Sequence, residues 1–116
     1  MGVQRIVPDF SSPDPAASRA FYEGVLGLEV AMDLGWITTF AAPGNPTAQL
    51  SVMQRDASAQ LQPDVSIEVD DVDAAHAACV RLGHEMVHPL TDEPWGVRRF
   101  FVRDPAGAVV NVLSHR

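Results

Sequence analysis

The stretch "PWGVRRFFVRDPAG", residues 94–107, decides the fold, because the chain carries its pattern twice. It predicts a strand over "VRRFFVRD" followed by a tight turn, in which Pro105 restricts φ and Gly107 tolerates positive φ. An earlier stretch, "GWITTFAAPG" (35–44), has the same order of tryptophan, strand-forming residues and turn. Two copies of one hairpin pattern indicate an internal repeat.

The repeat extends outward from these hairpins to the segments that precede them. "AASRAFYEGVLGLEV" (16–30) aligns with "AAHAACVRLGHEMV" (74–87) when one gap is allowed. Each half therefore predicts the order β-α-β-β-β. The predicted strands are 5–10, 28–33, 36–42 and 48–54 in the first half and 65–69, 84–90, 97–104 and 108–114 in the second.

The repeat predicts an α+β fold of a single domain over residues 1–116. Module 1 spans about residues 1–58 and module 2 about residues 62–116, joined by the polar linker "DASAQLQP" (56–63). Two βαβββ modules of this kind are expected to form curved mixed sheets around a cleft, with the helices covering the outside.

The first predicted helix begins at Ser12 or Asp14 and ends at Gly27. Its apolar residues fall on one stripe at helical spacing, which predicts that this stripe faces the sheet. The stripe consists of Ala17, Ala20, Phe21 and Val25.

Composition excludes several classes of function. The chain has 116 residues, of which 47% are hydrophobic, and a net charge of -7. That charge disfavours nucleic acid as a partner, because phosphate binding needs clustered Lys and Arg. The apolar runs are too short to span a membrane. The single cysteine, Cys79, has no partner for an internal disulfide, and together these features predict a cytoplasmic protein.

Two segments, "FYEGVLGLEV" (21–30) and "WGVRRFFVRDPAGAVVNV" (95–112), carry a resemblance to a known family. They resemble the glyoxalase, bleomycin-resistance and extradiol-dioxygenase superfamily, also called the vicinal oxygen chelate superfamily. The similarity runs from Ile6 to Leu113. It implies the fold described above and an assembly into homodimers.

The resemblance also implies four metal-ligand positions, one on each of four strands. In metal-using members these positions usually carry histidine or glutamate, which suit transition metals. Here one carboxylate remains among them, and a glutamate position is occupied by an amide. We therefore expect no metal and no cofactor. The four positions hold Val7 or Pro8, then Gln49 with its neighbours Leu50 and Ser51, then Asp64, and last Asn111.

Strand alternation predicts which side chains face the cleft and could contact a ligand. The acids among them favour a cationic or polyhydroxyl ligand, and the two tryptophans offer flat surfaces on which a planar ligand could stack. Of the neighbours Arg98 and Arg99, one is expected to enter the cleft and pair with an acid. The predicted ligand-binding residues are Asp9, Trp36, Gln49, Ser51, Asp64, Glu68, Trp95, Arg98 and Asn111.

Two classes of function remain open at this point. The favoured one, which the resemblance to family members without metal ligands implies, is a metal-independent protein that binds a small molecule such as a drug and acts by sequestering it. The alternative is an enzyme of the same superfamily, a lyase, isomerase or dioxygenase. Asp9, Asp64 and Glu68 are then the candidates for a general base, but none has a convincing acid partner, so no catalytic residue is assigned. A ligand unrelated to either class is a third hypothesis.

Overall fold

A computed structural model describes residues 2–116 and shows an α+β fold. The chain forms two compact units. The first unit comprises Val7–Gln62, and the second unit joins the N-terminal residues up to Ile6 with Pro63–Arg116. The predicted modules divided the chain in nearly the same place, except that the start of the first strand clusters with the second unit.

The first unit contains one helix and four strands in the predicted order. Its elements are β1 (Val3–Ser11, shared with the second unit), α1 (Pro15–Gly24), β2 (Glu29–Asp33), β3 (Ile37–Ala42) and β4 (Asn45–Met53). The strands lie in the order β2-β3-β4-β1. β1 is parallel to β4, whereas the β2–β3 and β3–β4 pairs are antiparallel, so the sheet is mixed.

The second unit repeats this arrangement. Its elements are β5 (Val65–Val69), α2 (Val72–Arg81), β6 (Met86–Asp92), β7 (Val97–Arg103) and β8 (Val109–His115). The strands lie in the order β6-β7-β8-β5, with β5 parallel to β8 and the other pairs antiparallel. The same strand order in both units confirms the repeat predicted from the sequence.

An aspartate caps the start of each helix. The side chain of Asp14 accepts a hydrogen bond from the amide of Ala17 at 3.2 Å, and Asp71 accepts one from Ala74 at 3.0 Å. These bonds satisfy amide groups that have no partner within the first helical turn. Of the two caps considered for α1, Asp14 is therefore the one that forms.

The predicted apolar stripe of α1 is wrong. Phe21 is 51% exposed and Val25 is 68% exposed. The ring of Tyr22 instead lies 5.5 Å from that of Phe40 in β3, and Ser18 on the same side bonds to Ser12. Tyr22 follows Phe21 by one residue, about 100° around the helix, so contact through Tyr22 turns the Phe21 stripe away from the sheet.

The core of the second unit lies between α2 and its sheet. Val72 and Ala75 of α2 pack against Val69, Phe100 and Val102. Cys79 is partly buried against this cluster, and burial raises the pKa of its thiol. The thiol therefore stays protonated at neutral pH, and Cys79 contributes to the core as a small packing residue.

The predicted linker forms an ordered turn. The carboxylate of Asp56 is buried and accepts hydrogen bonds from the amides of Ser58 and Ala59 at 3.0 and 2.9 Å. The side chain of Gln62 donates to the carbonyl of Gln54 at 2.7 Å. In the part of the chain that the structure describes, no helix is long and apolar enough to cross a membrane.

Candidate functional site

The sheet of the second unit has one face against α2 and one face turned away from it, here called the α2-distal face. Ile67, Val110 and Val112 pack into the α2 core. Because side chains alternate along a strand, Ser66, Glu68 and Asn111 lie on the α2-distal face. The same argument applied to Phe100 and Val102 places Arg99 and Phe101 there as well.

A row of four side chains crosses the α2-distal face. The strand register pairs Ser66 with Asn111, Asn111 with Phe101, and Phe101 with His88. The amide nitrogen Nδ2 of Asn111 donates to Ser66 Oγ at 3.0 Å. Asn111 is 8% exposed, and its Oδ1 atom has no hydrogen-bond partner among residues 2–116. The row therefore presents one buried acceptor that the described protein groups do not satisfy.

A buried ion pair lies beside this row. Arg99 Nε donates to Glu93 Oε2 at 2.7 Å, and Arg99 Nη2 lies 2.6 Å from the same oxygen. Both side chains are less than 5% exposed. His88 Nε2 lies 3.6 Å from Glu93 Oε2. A buried carboxylate requires this kind of compensation, because an isolated buried charge is costly.

The guanidinium of Arg99 also contacts two aromatic rings. Its Cζ atom lies 4.9 Å from the ring centre of Trp95 and 4.7 Å from that of Phe101. Both distances fall within the range of cation–π contacts. The ion pair with Glu93 holds the guanidinium, and the guanidinium in turn supports the half-buried indole of Trp95.

The two predicted acids of β5 have protein partners. Asp64 Oδ2 accepts a hydrogen bond from the amide of Val109 at 2.8 Å, which ties the start of β5 to the start of β8. Glu68 lies 3.1 Å from Arg5 Nε and 2.6 Å from His115 Nδ1. Both carboxylates thus bond to groups within the second unit.

Arg98 lies on the opposite face from Arg99. Its Nη2 atom donates to Asp73 Oδ1 of α2 at 2.8 Å, and its Nη1 atom lies 3.3 Å from Asp92 Oδ2. Arg98 was among the predicted ligand-binding residues, but the arginine that contacts Trp95 and Phe101 on the α2-distal face is Arg99. The hydrogen bond from Arg98 lowers the pKa of the Asp73 carboxyl.

Replacing Arg98 with methionine should raise the pKa of Asp73 towards its ordinary value of 3.8, because the hydrogen bond that favours the carboxylate is lost. In the wild type, the pair stabilises the fold above the pKa of an unfolded aspartate. That contribution disappears as the pH falls through the lowered pKa. A carbon-13 NMR titration of the carboxyl measures the shift. In Arg103→Met, which removes an exposed arginine paired with Glu85, an equal shift at Asp73 would contradict the assignment.

The predicted residues of the first unit form a separate polar group. Asp9 and Ser51 are register partners on the parallel strands β1 and β4, and both are buried. Ser51 Oγ lies 2.7 Å from the Oγ1 atom of Thr39, which was not among the predicted ligand-binding residues. Gln49 donates to the carbonyl of Pro46 at 2.8 Å, and the carbonyl of Trp36 accepts from the amide of Gln54. The structure thus brings Asp9 and Ser51 together, while Gln49 bonds back to its own hairpin.

The first unit also has an open groove of about 230 Å³ beside α1. The groove includes Arg19 and Asp33, whose side chains lie 3.8 Å apart, and the buried Thr38. Its lining contains none of the predicted ligand-binding residues. The lining is Pro15, Ala16, Arg19, Asp33, Gly35 and Thr38.

The residues at the family's metal positions do not fit a metal ion. Asn111 is a neutral amide bonded to Ser66, and Asp64 uses one carboxylate oxygen to bind the backbone of Val109. Among residues 2–116, no group of three His, Cys, Asp or Glu side chains could hold a metal ion. The side chains at these two positions therefore differ from the converging His, Cys and carboxylate ligands that transition metals prefer.

Strand alternation left Arg99 as an alternative to Arg98, and it did not indicate Glu93 or His88 as members of the candidate site. Phe100 and Phe101 are adjacent, and so are Arg98 and Arg99, so both faces of β7 carry one aromatic and one cation. Strand periodicity cannot tell these faces apart. The sequence does contain one usable signal. Two adjacent acidic residues at positions 92 and 93 precede β7, so each of the two arginines has an acid with which it can pair.

Comparisons with solved structures support the fold. A glyoxalase/bleomycin resistance protein/dioxygenase superfamily member from Vibrio splendidus is 17% identical, with a TM-score of 0.73 over 97% of this chain and 99% of that chain. Streptomyces coelicolor methylmalonyl-CoA epimerase is 17% identical, with a TM-score of 0.73 over 98% and 99%. The Mn(II)-bound glyoxalase from Novosphingobium aromaticivorans is 24% identical, with a TM-score of 0.71 over 97% and 39%.

The family model gives the most specific match. No curated protein sequence matches the chain. The model of the Glyoxalase/Bleomycin resistance protein/Dioxygenase superfamily matches residues 5–112, which is nearly the whole chain. With the paired βαβββ units, this match shows that the chain belongs to the glyoxalase/bleomycin resistance protein/dioxygenase superfamily.

Proposed function

We propose that this protein binds a small organic molecule without a metal ion and acts by sequestering it, as a drug-binding protein would. The observation that carries the proposal is Asn111. It stands where the resemblance implies a metal-binding glutamate. Its amide is instead bonded to Ser66, and its Oδ1 atom on the α2-distal face has no hydrogen-bond partner among residues 2–116. This arrangement suits hydrogen bonding to an organic ligand.

The proposed ligand is planar. Trp95 is half-buried and supported from behind by the guanidinium of Arg99, at 4.9 Å from the ring centre. Because the guanidinium already restricts the motion of the indole, the ring loses little conformational freedom when a flat molecule stacks on it. This favours binding. Trp95 and Asn111 are therefore the ligand contacts that we propose first in the second unit.

A planar ligand has more support from these contacts than a positively charged ligand. The cationic ligand was expected because acids line the predicted cleft. In the second unit those acids have partners: Glu68 lies beside Arg5 and His115, and Asp64 accepts from the backbone of Val109. In the first unit, Asp9 and Ser51 remain candidates for polar contacts.

A cytoplasmic location and a homodimer are further parts of the proposal. The single cysteine and the net charge of -7 support the location. The outer side of α1 supports self-association, since Phe21, Val25 and Leu26 are each more than half exposed. Exposed apolar residues of this size are typical of surfaces that contact another protein.

Tryptophan fluorescence tests the proposed function. The variant Trp36→Phe leaves Trp95 as the sole tryptophan of the chain. Titration of this variant with a panel of planar aromatic compounds, neutral and cationic, should quench the Trp95 emission at a stoichiometry of about one. Protein purified without chelator should carry no stoichiometric transition metal by mass spectrometry, and the compound should be recovered unchanged.

A matched variant places the ligand. Trp95→Phe in the natural background keeps Trp36 as the reporter, and quenching by the same compounds should largely disappear. A stoichiometric amount of bound metal would contradict the proposal of metal-independent binding. Chemical conversion of the compound would favour the alternative, an enzyme. Quenching of Trp36 that equals that of Trp95 would show that the ligand does not lie at Trp95.

A further inference from the structure

The buried side-chain amide of Asn111 indicates which hydrogen-bonding group the ligand would carry. Its nitrogen faces Ser66 Oγ at 3.0 Å, so its oxygen is the atom left over. That oxygen is buried and finds no donor among the described residues. A buried acceptor without a donor costs free energy, and a partner that supplies an N–H or O–H group recovers it.

The carboxylates at the α2-distal face already have partners within the second unit. Glu93 is paired with Arg99 at 2.6 Å, and Glu68 with Arg5 at 3.1 Å. Each of these two carboxylates is therefore engaged by a guanidinium, and Asp64 accepts a hydrogen bond from the backbone of Val109. A charged ligand would lose its hydration on this face and find each opposite charge already engaged. The face consequently favours a ligand without net charge.

We infer that the ligand of the α2-distal face is an uncharged planar molecule that donates an N–H or O–H group to Asn111 Oδ1. The inference rests on the proposed function, because it assumes that this face binds a small molecule. It goes further by assigning the direction of one hydrogen bond and the charge of the ligand. The partners Ser66 and Arg99 then act as positioning residues, since they orient the Asn111 amide and the Trp95 ring.

Three probes of nearly the same shape separate these properties. Indole is planar, uncharged and carries one N–H donor. Benzofuran has an oxygen in place of that N–H, and tryptamine adds an ammonium group. Nitrogen-15 NMR of the labelled protein reports on the side-chain amide of Asn111 and on the indole N–H of Trp95 during each titration.

Indole is expected to shift both signals and to bind about tenfold more tightly than benzofuran, because only indole satisfies Oδ1. Tryptamine is expected to bind no more tightly than indole. In Asn111→Leu the acceptor is gone, so indole and benzofuran should bind equally. The variant also loses the hydrogen bond from Asn111 to Ser66 Oγ, so circular dichroism first checks that it is folded.

Ser114→Ala is the matched control, because Ser114 lies on β8 on the face towards α2 and bonds to the carbonyl of Val69. It should retain the tenfold preference for indole. If benzofuran and indole bind the wild type equally at this face, or tryptamine binds tenfold more tightly, the inference is overturned while small-molecule binding stands. If no probe shifts either signal, the inference also fails, and the fluorescence titration then decides the proposed function by itself.

Discussion

Replacing Arg99 with methionine is expected to lower the free energy of unfolding by about 3–5 kcal/mol. The substitution keeps a long side chain but leaves Glu93 buried without its cation, and Glu93 is only 4% exposed at its side chain. It also removes the guanidinium between Trp95 and Phe101. Urea denaturation followed by tryptophan fluorescence and circular dichroism measures the loss.

Two variants test whether the buried charge causes this loss. Arg98→Met removes the neighbouring arginine, whose partners Asp73 and Asp92 are more than half exposed, and should cost much less stability than Arg99→Met. The double variant Arg99→Met with Glu93→Leu removes both charges and should recover most of the stability. Equal losses in Arg98→Met and Arg99→Met would show that burial does not distinguish the two pairs.

Phe100→Ala is expected to destabilise the protein by a similar amount, about 3–5 kcal/mol. Phe100 is 0% exposed and packs between the sheet and α2, where its ring meets that of His76 at 5.1 Å. Alanine would leave a cavity that the surrounding strands can fill only in part. Chemical denaturation of the purified variant measures the change.

Phe10→Ala makes the same chemical change at a residue that is 47% exposed. We expect it to cost less than about 1 kcal/mol, because much of the ring already contacts water and no comparable cavity forms. If Phe10→Ala proves as costly as Phe100→Ala, the proposed position of the core between α2 and β7 must be revised.

The Arg99 variant also connects stability with function. Trp95 is the proposed stacking surface, and Arg99 supports the ring from one side. A loss of this support would leave the indole less ordered, so ligand binding should weaken even where the variant is folded. The candidate site and the buried ion pair are therefore parts of the same local structure.

The fold followed from local patterns that do not depend on distant contacts. Turn residues such as Asp104 and Gly107 connect β7 to β8, and Gly107 has a φ of 93°. Asp14 and Asp71 begin the two helices at corresponding places in the repeat. Each of these signals acts over a few residues, which is why the order of helices and strands could be predicted for both units.

The faces of the elements were less predictable. On α1, Ala17, Phe21 and Val25 form a stripe by spacing, yet the helix contacts the sheet through Tyr22. The spacing of apolar residues identifies a stripe on the helix. It cannot predict that one aromatic contact with a strand will turn that stripe away from the sheet. The same limit applies to β7, where adjacent residues are chemically alike on both faces.

The sequence by itself determined the family and the repeat, because these depend on the type and order of residues. Tertiary structure alone decided that Arg99, not Arg98, lies beside Asn111, and that Glu93, Glu68 and Asp64 have partners in the second unit. The physical reason is that charge pairing and burial depend on which strands and turns meet. Residues such as Glu68 and Arg5, 63 positions apart in the sequence, become partners only when the sheet forms.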